Sequence, residues 1–126
     1  MRIAVAGTHC SGKTTLIDDF VQAHSEFRAE PEPYDVLAEM MEGEFAAMPS
    51  AEDFVRQLQV GLQQWSALRR RDNVICERSP YDFLAYLDAL AELGRDDRGA
   101  FVEALEWVRD TGPLFELIVY LPAGPD

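Results

Sequence analysis

A glycine-rich segment near the start of the chain constrains its fold more than any other feature. Gly7, Gly12, Lys13 and Thr14 fill the pattern G-x-x-x-x-G-K-[ST]. Glycines at both ends let such a loop turn its backbone N–H groups inward around an anion, and the helix that follows points its positive end at the same place. An apolar run at residues 3–6 precedes the loop, and apolar residues at helical spacing follow it. This order of strand, loop and helix predicts a phosphate-binding P-loop, and not a chance turn between two core elements.

We expect the whole segment from Gly7 to Thr15 to contact a bound nucleotide. Lys13 brings a full positive charge to the β- and γ-phosphates and is a candidate catalytic residue, while the hydroxyl of Thr14 is a candidate ligand of Mg²⁺. Thr15 is expected to bond the α-phosphate. The remaining cofactor-binding candidates are the central loop residues Thr8, His9, Cys10 and Ser11.

His9 and Cys10 occupy positions that the loop pattern leaves variable. A cysteine near a helix N-terminus is a candidate low-pKa thiol, and a histidine is a candidate metal ligand. We favour an ordinary loop role for both residues, because the pattern asks nothing of Cys10 and no second His or Cys lies at metal-ligand spacing from His9.

The composition limits which binding partners and which cellular compartment are expected for this protein. The chain has 126 residues, 48% of them hydrophobic, which indicates one domain, residues 1–126, with a packed core. A formal net charge of −12 argues against nucleic acid and against an anionic membrane surface, since both are bound by basic patches, but not against a local phosphate site. The sequence shows no apolar run of membrane-spanning length, no signal peptide and no C-x-x-C spacing of its two cysteines, so we expect a cytoplasmic protein with reduced thiols. Nothing in the sequence indicates an oligomer.

The rest of the chain alternates short apolar runs with amphipathic stretches. This alternation predicts an α/β fold of the three-layer P-loop NTPase type, with a parallel sheet of about four strands, the P-loop strand inside the sheet, and helices on both faces. Strands are predicted at residues 3–6, 25–29, 73–76 and 116–121. Helices are predicted after Lys13, at 35–41, from the cap Ser50 to the arginines at 69–71, from the cap Ser79 to Gly94, and from 96 or 97 to 112, with a loop at 43–49. The three arginines suit the negative end of a helix, and we favour this interpretation over a binding patch.

Charged residues follow two of the predicted strands, at the sheet edge where open α/β folds bind ligands. Glu30 and Glu32 alternate with prolines, and an extended path would point both carboxylates to the same side, although a solvated acidic loop explains them equally well. Glu77 follows the strand at 73–76 and meets the need of a P-loop enzyme for an acid beside Mg²⁺. Arg78 can stabilise charge on a transferring phosphoryl group. We favour these roles over a surface ion pair between Glu77 and Arg78, because the P-loop requires metal ligation at this place.

Three motifs together resemble the P-loop small-molecule kinases, which include the deoxynucleoside kinases, thymidylate kinase and ribosylnicotinamide-kinase-like ATP-binding proteins with an AAA-type P-loop domain. The motifs are the loop GTHCSGKTT, most similar to the last group, a Glu-Pro pair after the second strand, and Glu77-Arg78-Ser79 after the third. The resemblance covers residues 2–86 by motif and the later strand by topology.

The resemblance implies a Glu-Pro carboxylate as general base on the acceptor hydroxyl, and both Glu30 and Glu32 fit that motif. It also implies Glu77 as a group on Mg²⁺, and Arg78 near the acceptor hydroxyl and the transferred phosphate. Kinases of this class continue into an arginine-bearing lid, a fifth strand and a base-holding loop. We therefore expect the domain to lack its C-terminal part, with the lid arginines and the adenine pocket beyond the chain.

The expected function is that of an ATP-binding, Mg²⁺-dependent kinase that transfers the γ-phosphate to a small acceptor such as a nucleoside or nucleotide. The alternatives are an ATPase or switch without a small-molecule acceptor, and a non-catalytic ATP-binding module. A GTPase would show Asp-x-x-Gly directly after a strand and a later Asn-Lys-x-Asp. The sequence has no Asn-Lys-x-Asp, and its one Asp-x-x-Gly, at residues 96–99, does not follow a predicted strand. An enclosed pocket lined by Glu30 or Glu32, Arg78 and aromatic residues of the helix at 54–65 would favour the kinase, and an open, flat surface there would favour the switch.

Overall fold

The structure, a computed structural model, describes residues 1–7, 12–35, 50–69, 71–95 and 98–122. Within these residues four strands form one parallel sheet: β1 Arg2–Gly7, β2 Arg28–Glu30, β3 Val74–Glu77 and β4 Leu117–Leu121. Their order is β2-β3-β1-β4, so the strand that leads into the P-loop lies inside the sheet. The predicted parallel α/β fold is therefore confirmed.

Helices connect the strands, as parallel pairing of successive strands requires. They are α1 Lys13–Ala23, α2 Ala51–Ser66, α3 Pro80–Glu92 and α4 Gly99–Thr111. Two of them begin at the predicted caps: Ser50 and Asp53 form a capping box at the start of α2, and Ser79 and Asp82 form one at the start of α3. Each box satisfies backbone N–H groups that the first helical turn leaves unpaired. No helix in the described parts of the chain has the length and apolar character needed to cross a membrane.

Several element boundaries differ from those predicted. Strand β2 begins at Arg28 rather than at residue 25, because a turn at 25–26 is closed by a hydrogen bond from the N–H of Phe27 to the carbonyl of His24. Helix α2 ends at Ser66, before the arginines, where the Asp72 carboxylate accepts the N–H of Arg69 at 2.9 Å.

One further helix begins later than predicted, and some predicted elements lie outside the described residues. Helix α4 begins at Gly99, two or three residues later than predicted. Residues 36–49, 70, 96–97 and 123–126 lie outside the described residues, and so do most of the helix predicted at 35–41 and the whole loop predicted at 43–49.

Helices cover both faces of the sheet, as predicted. On one face Ile17 of α1 packs with Ile3, Val5 and Ile75. On the other face, side chains of α2, α3 and α4 pack on Val74 and Cys76. This larger core contains Leu58, Trp65, Phe83, Leu84, Leu87, Ala104 and Val108. Full burial of each large apolar side chain stabilises the fold by about 1.5–3 kcal/mol, so both helical layers hold the sheet in place.

Strand β4 pairs with β1 at one edge of the described sheet. Its start is fixed by an ion pair, in which Nε of Arg2 lies 3.1 Å from the Glu116 carboxylate and the N–H of Arg2 donates to the same group at 2.8 Å. The N–H of Glu116 in turn donates to the carbonyl of Arg2 at 2.9 Å. These bonds set the register of β4 on the strand that leads into the P-loop.

Candidate functional site

The P-loop is described at its two ends. Gly7 is the last residue of β1, and Gly12 caps α1 with a φ of 91°, a left-handed conformation that strains residues with a Cβ. A Cβ on Gly12 would meet no atom within 4 Å, so the backbone conformation, and not lack of space, calls for glycine. The cofactor-binding residues predicted at 8–11, Thr8, His9, Cys10 and Ser11, lie outside the described residues and stay predictions.

Lys13 is folded back over the start of the loop. Its side chain is buried, and its Nζ donates a hydrogen bond to the carbonyl of Gly7 at 3.1 Å. Burial, followed by the charge of Arg78, lowers the pKa of Lys13, while nearby carboxylates oppose the shift. The ammonium group therefore lies at the loop, beside the N-terminus of α1, where anions bind favourably. Thr15 lies exposed on the first turn of the same helix.

Thr14 and Glu77 are in direct contact. The Thr14 hydroxyl donates to Oε1 of Glu77 at 2.6 Å, because β3 lies next to β1 and both strands end at the same edge. Burial raises the pKa of Glu77, the adjacent Glu32 carboxylate adds to the shift, and the hydrogen bond from Thr14 opposes it. The two side chains that were predicted to share a metal are thus neighbours.

The donor set at this place fits Mg²⁺. The hydroxyl of Thr14 and the carboxylate of Glu77 are hard oxygen ligands, which Mg²⁺ prefers. Among the described residues, no group of three or more His, Cys, Asp or Glu side chains could hold a metal. A site with few protein ligands suits Mg²⁺ bound with phosphates and waters, and not a metal enclosed by protein alone.

Arg78 occupies the centre of the site. It is buried, and its φ of 83° lies in the left-handed region, which costs a non-glycine residue about 1–2 kcal/mol. Its Nε donates to Oε1 of Glu32 at 2.9 Å, and its Nη1 donates both to the carbonyl of Gly7 at 3.1 Å and to the Tyr86 hydroxyl. Burial disfavours the charge, but Glu32, Tyr86 and other nearby groups outweigh burial and raise the pKa of Arg78. One guanidinium group therefore joins the P-loop to a carboxylate.

The structure places Glu30 and Glu32 differently. Glu30 is the last residue of β2 and pairs with Nε of Arg28 at 2.9 Å, whereas Glu32 pairs with Arg78. Both prolines contact α2: the carbonyl of Pro31 accepts a hydrogen bond from Nε2 of Gln64 at 2.6 Å, and Pro33 is fully buried close to Gly61. Of the two candidates for the general base, Glu32 is the one in contact with Arg78.

Two polar residues of α3 take part in the site and were not singled out by the sequence. Asp82 is buried, and its Oδ1 accepts the N–H of Gly7 at 2.9 Å while its Oδ2 accepts the N–H of Ser79 at 2.7 Å. Tyr86 accepts from Arg78, and its ring stacks on Phe54 of α2 with centroids 4.8 Å apart. The available signal was their spacing of four residues, which puts both on one side of α3 directly after Glu77-Arg78-Ser79.

A family model described as AAA domain matches residues 2–110, which is most of the chain. The chain belongs to the AAA domain family. Among curated proteins, no sequence matches this AAA domain protein.

Two solved structures of a deoxyadenosine kinase from M. mycoides share its fold. The complex with the products dCMP and a flexible dCDP has a TM-score of 0.64 and 17% sequence identity, and the alignment covers 96% of this chain and 63% of the kinase. The complex with dATP has a TM-score of 0.57 and 19% identity, and the alignment covers 96% and 64% of the two chains. The AAA domain protein thus spans less than two thirds of these kinases, and the predicted P-loop kinase-like fold is confirmed.

Proposed function

We propose that this protein is a P-loop kinase that binds ATP and transfers its γ-phosphate to a small acceptor, such as a nucleoside or nucleotide. The observation that carries the proposal is the pair of contacts made by Arg78, to the carbonyl of Gly7 at the P-loop and to the carboxylate of Glu32. A phosphate site and a candidate base are joined by one cation.

Two cations meet at the start of the P-loop. Nζ of Lys13 and Nη1 of Arg78 both donate to the carbonyl of Gly7, each at 3.1 Å. A phosphoryl group at this end of the loop would be next to both charges. Because phosphoryl transfer is catalysed mainly by positioning and by stabilising charge on the transferring group, this convergence suits the reaction.

Glu32 is the proposed general base. A base must reach the acceptor hydroxyl and leave that hydroxyl in line with the γ-phosphate. Glu32 is oriented by Arg78, which also contacts the loop, so the same arginine can serve the acceptor side and the phosphate side. Glu30 faces Arg28 and is assigned no part in the reaction.

Thr14 and Glu77 are the residues that would hold Mg²⁺, given their hydrogen bond and their oxygen donors. Such an ion neutralises charge on the phosphates of the nucleotide. The contact of Thr14 with Glu77 keeps both groups at the loop, on the side where the phosphates are expected.

An aromatic contact supports a bound acceptor over a simple ATPase. Phe54 of α2 stacks on Tyr86, and Tyr86 contacts Arg78. The carboxylate, the arginine and an aromatic residue of α2 are thus joined by a chain of contacts, which supports a kinase. The similar fold of a deoxyadenosine kinase, solved with dCMP and dCDP, supports nucleosides and nucleotides as the first acceptors to test.

An acceptor screen tests the proposal. The intact gene product is incubated with Mg²⁺ and ATP labelled at the γ-phosphate, together with nucleosides, nucleotides or ribosylnicotinamide, and labelled products are separated. We expect label on at least one acceptor, and a loss of about 100-fold or more in Lys13→Ala, which lacks the mobile charge on the phosphates. Label released only as inorganic phosphate with every acceptor would contradict the kinase and favour an ATPase or switch.

A further inference from the structure

Helix α3 presents a tyrosine hydroxyl to the central arginine of the site. Nη1 of Arg78 donates to the Tyr86 hydroxyl and to the carbonyl of Gly7, while Nε donates to Glu32. The guanidinium carbon also lies 5.3 Å from the centroid of the Tyr86 ring. Tyr86 therefore contacts Arg78 through both its hydroxyl and its ring.

We propose that Tyr86 is a positioning residue that holds the Arg78 guanidinium group at the end of the P-loop. This inference rests on the proposed kinase function. The Arg78 side chain extends from a backbone in the left-handed conformation, with a φ of 83°. An arginine side chain also gives up rotamer entropy when it is fixed, so its place must be set by surrounding groups.

Tyr86 is itself held firmly. Its ring stacks on Phe54 at an interplanar angle of 24° and meets the edge of Phe83 at a centroid distance of 6.2 Å. Phe83 is fully buried in the core beneath α3. The position of the hydroxyl is thus set by the packing of α2 on α3, and the place of Arg78 depends on that packing.

Asp82, one helical turn before Tyr86, does not play the same part. Its Oδ1 lies 4.0 Å from Nη1 of Arg78, beyond hydrogen-bond distance, and accepts the N–H of Gly7 instead. Its Oδ2 accepts from Ser79 in the capping box. Asp82 supplies charge near Arg78, but the directional contact comes from Tyr86.

The test uses Tyr86→Phe, which removes the hydroxyl and keeps the ring on Phe54. The matched control is Tyr81→Phe, on the same helix at an exposed position. We expect Tyr86→Phe to lower kcat for acceptor phosphorylation between about 10- and 100-fold, with the Kd for ATP unchanged and a cooperative thermal transition that shows the variant to be folded, because the geometry of transfer is lost. Unchanged kcat, or an equal loss in Tyr81→Phe, would overturn the proposal.

A double variant and a spectroscopic readout separate this proposal from the kinase function. In an Arg78→Lys background, Tyr86→Phe should cause little further loss, since the hydroxyl acts through the guanidinium; a full additional loss would overturn the proposal. The side-chain ¹⁵N–¹H signals of Arg78 should shift or broaden in Tyr86→Phe and stay unchanged in Tyr81→Phe. Unchanged signals in Tyr86→Phe would overturn the positioning role. A wild type that phosphorylates no acceptor defeats the kinase proposal alone, and the Arg78 signals then decide the role of Tyr86.

Discussion

Arg78 combines a strained backbone with a dense set of side-chain contacts. Its φ of 83° is one that glycine adopts freely, yet the position carries a charged residue that contacts Glu32, Gly7 and Tyr86. Strain of this kind persists only where the surroundings hold it, and it concentrates at functional sites. The side chain at this position is therefore maintained at the expense of backbone stability.

Arg78→Gly should be more stable than Arg78→Ala by about 1 kcal/mol. Both variants lose the guanidinium group, but the left-handed φ is strained only for alanine, which has a Cβ. Urea unfolding at neutral pH measures the difference. The control pair is Arg56→Gly and Arg56→Ala in the interior of α2, where the order should reverse by about 1 kcal/mol, since glycine is the poorer helix former. Equal stability of the two variants at position 78 would argue against backbone strain.

The sequence alone led to most of the side chains that meet at the site. The loop pattern predicts Lys13 and Thr14, and the end of the third strand predicts Glu77 and Arg78, because loop patterns and strand ends are local features of the sequence. The choice between Glu30 and Glu32 does not follow from the sequence. The alternating side-chain directions of an extended chain point both carboxylates the same way, and only the packing of two prolines on α2 distinguishes them. Asp82 and Tyr86 were missed because their contacts with Gly7 and Arg78 exist only after the helix has docked.

At the scale of elements, polar bonds at the ends of strands and helices decide the boundaries. Capping boxes at Ser50 and Ser79 were predictable because cap and partner lie three residues apart. The late start of β2 and the early end of α2 depend on local hydrogen bonds at Phe27 and Arg69, which no periodicity reveals. The ion pair between Arg2 and Glu116 could not be predicted from the sequence either, since the two partners lie 114 residues apart.

Glu116→Gln tests the ion pair between Arg2 and Glu116 through the pH dependence of stability. Hydrogen bonds from Arg2 lower the pKa of Glu116 from 4.5 to about 2. The group therefore stabilises the fold fully above pH 4.5, and its contribution is lost as the pH falls from there through about 2. Wild type should lose more stability over this window than Glu116→Gln, which should already be about 1 kcal/mol less stable at pH 7, allowing for solvent screening of a partly exposed pair.

Unfolding curves recorded at pH 7, 4.5 and 2.5 give the comparison. Glu106→Gln, which changes an exposed carboxylate on α4, is the matched control and should follow wild type. Equal losses of stability in wild type and Glu116→Gln between pH 4.5 and 2.5 would contradict the assignment of this ion pair.

At the scale of the whole molecule, the sheet order brings together segments that are distant in the sequence. With β3 between β2 and β1, the ends of all three strands supply the P-loop, Glu32 and the pair Glu77 and Arg78 to one edge. The alternation of strands and helices was sufficient to predict a parallel sheet with the P-loop strand inside it, but the order of the strands came from the structure. The acceptor could not be predicted, since its recognition depends on how side chains from several elements enclose it.

In the proposed reaction Glu32 takes the proton of an acceptor hydroxyl during phosphoryl transfer, and the pair Glu32→Gln and Glu30→Gln tests this role most directly. Glutamine at position 32 can still accept the hydrogen bond from Arg78 but cannot take a proton. With the best acceptor from the screen, the rate of transfer from Mg²⁺-ATP should fall by about 100-fold or more in Glu32→Gln, with the Kd for ATP retained, whereas Glu30→Gln should transfer at the wild-type rate. Full activity in Glu32→Gln, or the same loss in Glu30→Gln, would contradict the claim.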